Sequence, residues 1–539
     1  MHDKPKSVAM ANLWVAFAAF FVAIVLGLYQ VMNRSGLFPE IESHELYFAS
    51  VSTHGVLMGF VLTTFFIMGF GYYTATSSLR RPLWNKSLAW ASFFVALSGT
   101  VIAAIPLLSG HASVLYTFYP PLKAHPAFYI GATMLVVGSW LWCLEMIMST
   151  LVWKRDNPGK VVPLAMYGTT ANAIMWLWTS AGVAIEMLFQ LIPWSLGIKD
   201  TIDPGLARTL FSWTLHAIVY FWLFPAYIAM YTILPKVAGG RLFSDEMGRI
   251  AFIMLLVISV PIGFHHLYMD PQQAAGFKFL HMLGTFAVAV PTLLTGFTVL
   301  ASLEGAGRLR GGKGLFGWIA ALDWKEPMVV AGMLALFMLI AGGWGGMINA
   351  SYQMNTMVHN TQWVTGHFHL IFGGTTVIMY LATAYHLWPK LTGRPLASRG
   401  MAVLQLWLWT IGMLVLTMPW HVLGLLGQPR RISSAPYDSP LVAQWDPHEA
   451  AMIVGGVILL VSALLFVANL LMSHMTTRIH EDTHGEWAVA VHPPLSVPKP
   501  MNGFALWNSI VAVWMVIAYG YPTLQFLILD TPGSLPWGY

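Results

Sequence analysis

Residues 206–235 read LARTLFSWTLHAIVYFWLFPAYIAMYTILP, thirty positions with one charge, Arg208. About twenty apolar residues cross a bilayer as a helix, so a run of this length reads as a membrane span. Yet it holds His216 and, one helical turn on, Tyr220. Ionisable groups inside spans are costly and usually functional.

The rest of the chain agrees with this reading. Of 539 residues, 57% are hydrophobic and 9% charged, against about 25% charged in soluble domains. So few charges cannot cover a water-facing surface of this size, which excludes soluble enzymes. The net charge of +5 is the basic excess of cytoplasmic loops and implies no nucleic-acid partner. A single cysteine, Cys143, excludes an internal disulfide and a cysteine-cluster metal site. The first apolar run, about Leu13 to Val31, is too long for a signal-peptide core and lacks a small-residue cleavage site, so it reads as a retained span.

Thirteen runs qualify: roughly 11–32, 46–75, 87–108, 127–153, 163–195, 206–235, 248–268, 277–302, 327–350, 357–389, 401–425, 449–474 and 503–527. The predicted fold is an all-α integral membrane protein, a bundle of about thirteen transmembrane helices in one domain, 1–539. With the N-terminus cytoplasmic and the C-terminus outside, twenty of the 27 Lys and Arg fall in inside loops and seven outside, as the positive-inside rule requires.

On this topology His54, His216, His265, His266, His367 and His369 all lie roughly 5–18 Å below the outer surface, at 1.5 Å per residue. One such histidine is a hydrogen-bonded packing residue. Six at one depth, on four helices, are metal ligands, since imidazole is the commonest of these and bundle cofactors are held from facing helices. His367 and His369 point about 200° apart on a helix, so they serve two cofactors, one on each side. His265 and His266 diverge by about 100° and can share one metal near Pro261, which disturbs the helix. His216 and Tyr220 stack one turn apart. A phenol there can supply a proton and an electron. His2, His44, His111, His125, His281, His386, His421, His448, His474, His480, His484 and His492 read as terminal, loop, packing or surface residues.

The segments WTLHAIVYFWLFPAY (213–227), GFHHLYMDP (263–271) and GHFHLIFGG (366–374) resemble subunit I of the heme-copper oxygen reductases, most closely the B family of ba-type cytochrome c oxidases. The resemblance implies that His54 and His369 are the axial ligands of a low-spin heme, of b type. It makes His367 the proximal ligand of a high-spin heme, of a or o type. It assigns one copper ion to His216, His265 and His266, and a covalent link to Tyr220 with His216. It places Arg430 and Arg431 of GQPRR (427–431), Asp270 and His359 in the heme propionate region. It lays a proton pathway along Tyr227, Tyr231, Thr292 and Thr295.

By the same resemblance the chain is a terminal oxidase that reduces O2 to water and translocates protons in the prokaryotic plasma membrane. Its partners are a subunit II with a dinuclear copper electron-entry site, a small single-helix subunit, and cytochrome c or a similar donor. The chain has no cysteine pair for that copper site and no CxxCH for covalent heme, so electrons must enter through another subunit. Three departures matter. HAIVY lacks the glutamate that A-family members carry beside the tyrosine. Asn355 stands where some members have a carboxylate, which bears on how exit-side protons are held. Tyr220 is missing from nitric oxide reductases, the alternative within the superfamily. The alternative from another class, a proton-coupled transporter with relay histidines, would be colourless, and the inverted repeats with interrupted helices common in transporters are not evident here.

Overall fold

Apolar runs become helices where a cap starts them. Ser43, Asn85, Asp203, Ser244, Thr361 and Ser398 each accept a backbone N–H from the first turn of the helix that follows. Proline stands in the first helical turn at Pro126, Pro204 and Pro327. The computed structural model describes residues 4–435, 439–478 and 487–528. His2, His480, His484, the side chains of Lys4 and Lys6, and the C-terminal end expected outside fall beyond those described.

Among the described residues, twelve helices are long and apolar enough to cross a membrane. They are α1 (Ser7–Arg34), α2 (His44–Ser78), α3 (Lys86–Leu108), α4 (Pro126–Asp156), α5 (Leu164–Ser195), α6 (Pro204–Val237), α8 (Ala275–Leu309), α9 (Pro327–Ala350), α10 (Gln362–Thr392), α11 (Arg399–Leu425), α12 (Pro440–Met475) and α13 (Ala505–Ile528). The helix between α6 and α8, α7 (Asp245–Ile258), has 14 residues, about 21 Å at 1.5 Å per residue, and does not span alone.

The chain nevertheless crosses there. Tyr227 and Tyr231 of α6 donate to Thr292 and Thr295 of α8 at 3.4 and 3.1 Å. Residue numbers rise together along the two helices, so α6 and α8 run the same way and residues 238–274 must return across the bundle. The sequence reading had one helix over 248–268. In the structure α7 stops at Ile258, and His265 and His266 lie on a 3₁₀ turn, Gly263–Leu267. Pro261 is the cause: it has no N–H to donate and crowds the preceding turn. The divergence of the two histidines is therefore nearer 120°, since a 3₁₀ turn holds about three residues.

Small residues let helices approach closely. A Cβ on Gly99 would lie 2.5 Å from the Gly131 oxygen, and one on Gly455 2.7 Å from the Leu416 nitrogen. These contacts lock α3 to α4 and α11 to α12. Single π-helical stretches interrupt α2 at Leu57–Leu62 and α10 at Phe372–Val377. Each begins three residues after a histidine, His54 or His369, and such bulges frequently accompany functional sites.

Candidate active site

The six expected histidines line one cavity of about 860 Å³, large for the roughly 300–1,000 Å³ of a small-molecule site. It reaches both sides of α10, and His54, His216, His265, His266, His367 and His369 all border it. Glycines keep it open. Gly296 and Gly343 line it with nothing within 4 Å of an added Cβ, and a Cβ on Gly345 or Gly346 would press on the His367 ring at 3.0–3.2 Å.

On one side of α10, the His54 and His369 rings stand 6.3 Å apart, centre to centre, with planes 18° from parallel. A metal sits about 2.0–2.1 Å from an imidazole nitrogen, so with roughly 1.1 Å from nitrogen to ring centre, a metal between two imidazoles separates their centres by about 6.3 Å. The outer nitrogens are already engaged. Nδ1 of His54 lies 2.7 Å from the Ala23 carbonyl, Nδ1 of His369 2.8 Å from that of Thr365, and Nδ1 of His367 2.9 Å from that of Gly342. A carbonyl only accepts, so each Nδ1 carries the proton and each Nε2 presents its lone pair to the cavity. This is how metal-bound histidines are oriented from behind. Trp420 packs its ring 4.7 Å from that of His369.

On the other side, ligand atoms of His216, His265 and His266 all lie within 4.8 Å of one another. His216 faces His266, Nδ1 to Nε2, at 3.2 Å. Its opposite nitrogen, Nε2, lies 3.0 Å from the Tyr220 hydroxyl. Thr285 donates to the His281 carbonyl at 2.7 Å, so its oxygen is free to accept from Nδ1–H of His265 at 3.0 Å. Three neutral imidazoles converging on one point suit copper or another borderline metal.

The other expected residues divide. Tyr227–Thr292 and Tyr231–Thr295 form two hydroxyl pairs below Tyr220 on α6, and Thr292 itself lines the cavity. Arg430, Arg431 and His359 line its outer end. Burial and the Arg430 charge hold His359 below the usual imidazole range, and burial with Arg431 beside it lowers Arg430 to about 10. Asp270 does not border the cavity; it pairs with Arg208 at 3.1 Å. His359 Nδ1–H donates to Asn355 Oδ1 at 3.1 Å, so this region is held without a carboxylate at 355.

Two residues had escaped sequence reasoning. Arg34, counted there as an outside charge, is buried beside Glu449 at 3.5 Å and borders the cavity. Its position at the very end of an apolar run, before a glycine-containing turn, was the available signal. His281, read as packing, is bonded to the backbone of the 263–267 turn.

The donors present fit hemes and a copper ion: paired imidazoles at metal-gripping separation, a third on the opposite face, three more in a cluster, and arginines at one edge. Comparisons with known proteins agree. Residues 7–458 match the family described as Cytochrome C and Quinol oxidase polypeptide I. Cytochrome c oxidase subunit 1 of Thermus thermophilus is 41% identical, over 99% of this chain and 97% of that protein. The subunit of the same description from Thermostichus vulcanus is 26% identical over 88% and 86%. A heme-copper terminal oxidase solved as a dimer by cryo-EM is similar with a TM-score of 0.92 at 36% identity, over 97% of this chain and 93% of that one. A match of this extent settles the class: the chain belongs to the cytochrome c and quinol oxidase polypeptide I family and is the catalytic, multi-span subunit of a terminal oxidase of the bacterial plasma membrane.

Proposed function

We propose that this subunit, as a B-family member, reduces O2 to water between His367 and the His216, His265, His266 cluster, receiving electrons through the His54–His369 side. The observation that carries the reading is a phenol 3.0 Å from one imidazole of a three-histidine cluster that shares its cavity with His367. When bound, the heme and copper at this site would supply an oxygen-binding position and electrons. His54 and His369 would hold a low-spin heme of b type. His367 would hold a heme of a or o type, and the three clustered imidazoles would hold the copper.

The chain's own groups do the rest. Tyr220 presents its hydroxyl beside His216 and can give up a proton and an electron there. Tyr231, Thr295, Tyr227 and Thr292 pass protons upward by exchange between hydroxyls. Arg430 and Arg431 bind heme carboxylates through charge-assisted hydrogen bonds. Asp270, through Arg208, and His359 complete the polar groups near that edge. The N-terminus faces the cytoplasm, so the cavity lies in the outer part of the membrane. Residues 1–539 act as one domain, since α13 packs back on the middle of the chain through Trp213 and Tyr519. Subunit I works with a second subunit, here one with a dinuclear copper site fed by cytochrome c or a similar donor, and with a small single-helix subunit.

Replacing Tyr220 with Phe tests this. The variant complex should bind both hemes and consume oxygen at under about 1% of the wild-type rate, which corresponds to a barrier increase near 2.7 kcal/mol. Unchanged oxygen consumption would remove the role given to the phenol.

A further inference from the structure

The two histidines on the 263–267 turn have no α-helix to hold them. Between Ile258 and Asp270 the chain must cross a waterless layer with its backbone groups paired. Ser259 and Ile262 pair locally, to Leu255 and Val260. The next two N–H groups do not. Gly263 N–H donates to the Tyr519 hydroxyl at 3.2 Å, and Phe264 N–H donates to His281 Nδ1 at 3.1 Å. Tyr519 in turn donates to the Val260 carbonyl at 3.0 Å, and His281 Nε2–H reaches the Ala518 carbonyl at 3.3 Å. Both side chains are fully enclosed, at 1% and 0% exposure.

The same two rings grip the turn from the side. His281 stacks on Phe264 with centres 4.0 Å apart and planes 13° from parallel. Tyr519 stacks on Trp213 at 5.3 Å and 6°, and Trp213 lies three residues before His216 on α6. Tyr519 therefore touches both pieces of chain that carry the clustered histidines: α6 by its face, the 260–263 backbone by its hydroxyl. A Cβ on Gly263 would lie 2.0 Å from the Ser212 oxygen and 2.7 Å from the Tyr519 hydroxyl, so turn, α6 and α13 meet with no slack. The π-helical stretch Val516–Gly520 that contains Tyr519 sets where on α13 that ring emerges.

We infer that Tyr519 and His281 are positioning residues for the copper ligands: through the 260–264 backbone they fix the separation of His265 and His266 from His216. This rests on the reading of the three histidines as the copper site. It gives α13, which carries none of the expected ligands, a part in metal binding.

The test uses the purified complex with Tyr519→Phe, His281→Leu or His281→Asn. Asparagine keeps an acceptor near the Nδ1 position; leucine does not. Heme content, copper per chain, copper loss to a cuprous chelator, and the C–O stretch of carbon monoxide moved by light from heme to copper are measured. Tyr519→Phe and His281→Leu should keep both hemes, lose copper at least tenfold faster and show a shifted or broadened C–O band, while His281→Asn stays within about threefold of wild type, in line with the 10–100-fold effects of groups behind metal ligands. Wild-type copper retention and an unshifted band in all three would overturn the inference. Should Tyr519→Phe not take up heme, the two His281 variants decide: a tenfold split supports the inference, and equal behaviour overturns it. A wild-type complex without copper would instead sink the reading of the cluster on which it rests.

Discussion

The two sides of α10 solve one problem in different ways. On the His54–His369 side, both proposed ligands sit on long helices, and each outer nitrogen bonds a backbone carbonyl, of Ala23 or of Thr365. Helical backbone is already rigid, so little else is needed. On the three-histidine side, two proposed ligands sit on a 3₁₀ turn held by Tyr519, His281 and Thr285 from α13 and α8. The first site is built from secondary structure, the second from borrowed side chains. Damage to tertiary packing should therefore reach the second first.

The largest effect should come from Gly263→Ala. Its Cβ would sit 2.0 Å from a backbone oxygen of α6, which has no flexible end to move aside. We expect copper below about a tenth of wild type and turnover lost with it, while the low-spin heme spectrum stays intact; loss of both signals together would break the contrast. Thr285→Val, which removes the acceptor at His265 Nδ1, should weaken copper retention about tenfold, the low end for such partners, as read by chelator competition. Least affected should be Gly27→Ala. There the added Cβ meets the edge of the His54 ring at 3.1 Å, and a few tenths of an ångström of ring movement absorb it. A small shift of the low-spin absorption band with normal copper is expected; loss of that heme would show the helical site to be as brittle as the other.

Legibility in the sequence followed the same division. Apolar run length located the membrane helices, because a bilayer sets helix length directly. His367 and His369 were readable as two-sided because α10 is helical at that point and a 200° divergence follows from helix geometry alone. His265 and His266 were readable as residues but not as geometry. The apolar pattern of 248–268 continues past Ile258, and only Pro261 signalled that the helix could not. Arg34 was hidden because a charge at the end of a run looks like a loop residue until Glu449, over 400 positions away, closes on it. Tyr519 and His281 were hidden for a related reason: their partners are backbone N–H groups of a distant turn, and backbone leaves no mark in side-chain patterns. Asp270 was expected at the cavity edge but does not border it, and its salt bridge to Arg208 depends on a contact across 62 positions.

The most direct measurement is an iron and copper count on the purified complex, joined to absorption spectra of the subunit before and after carbon monoxide. Six imidazoles arranged as two on one side of α10 and four on the other predict two heme irons and one copper in this subunit, over and above any copper in the partner. One heme should ignore carbon monoxide, because both its axial positions are filled, and the other should bind it. A single heme, two hemes that both bind carbon monoxide, or no copper beyond the partner's share would contradict the assignment.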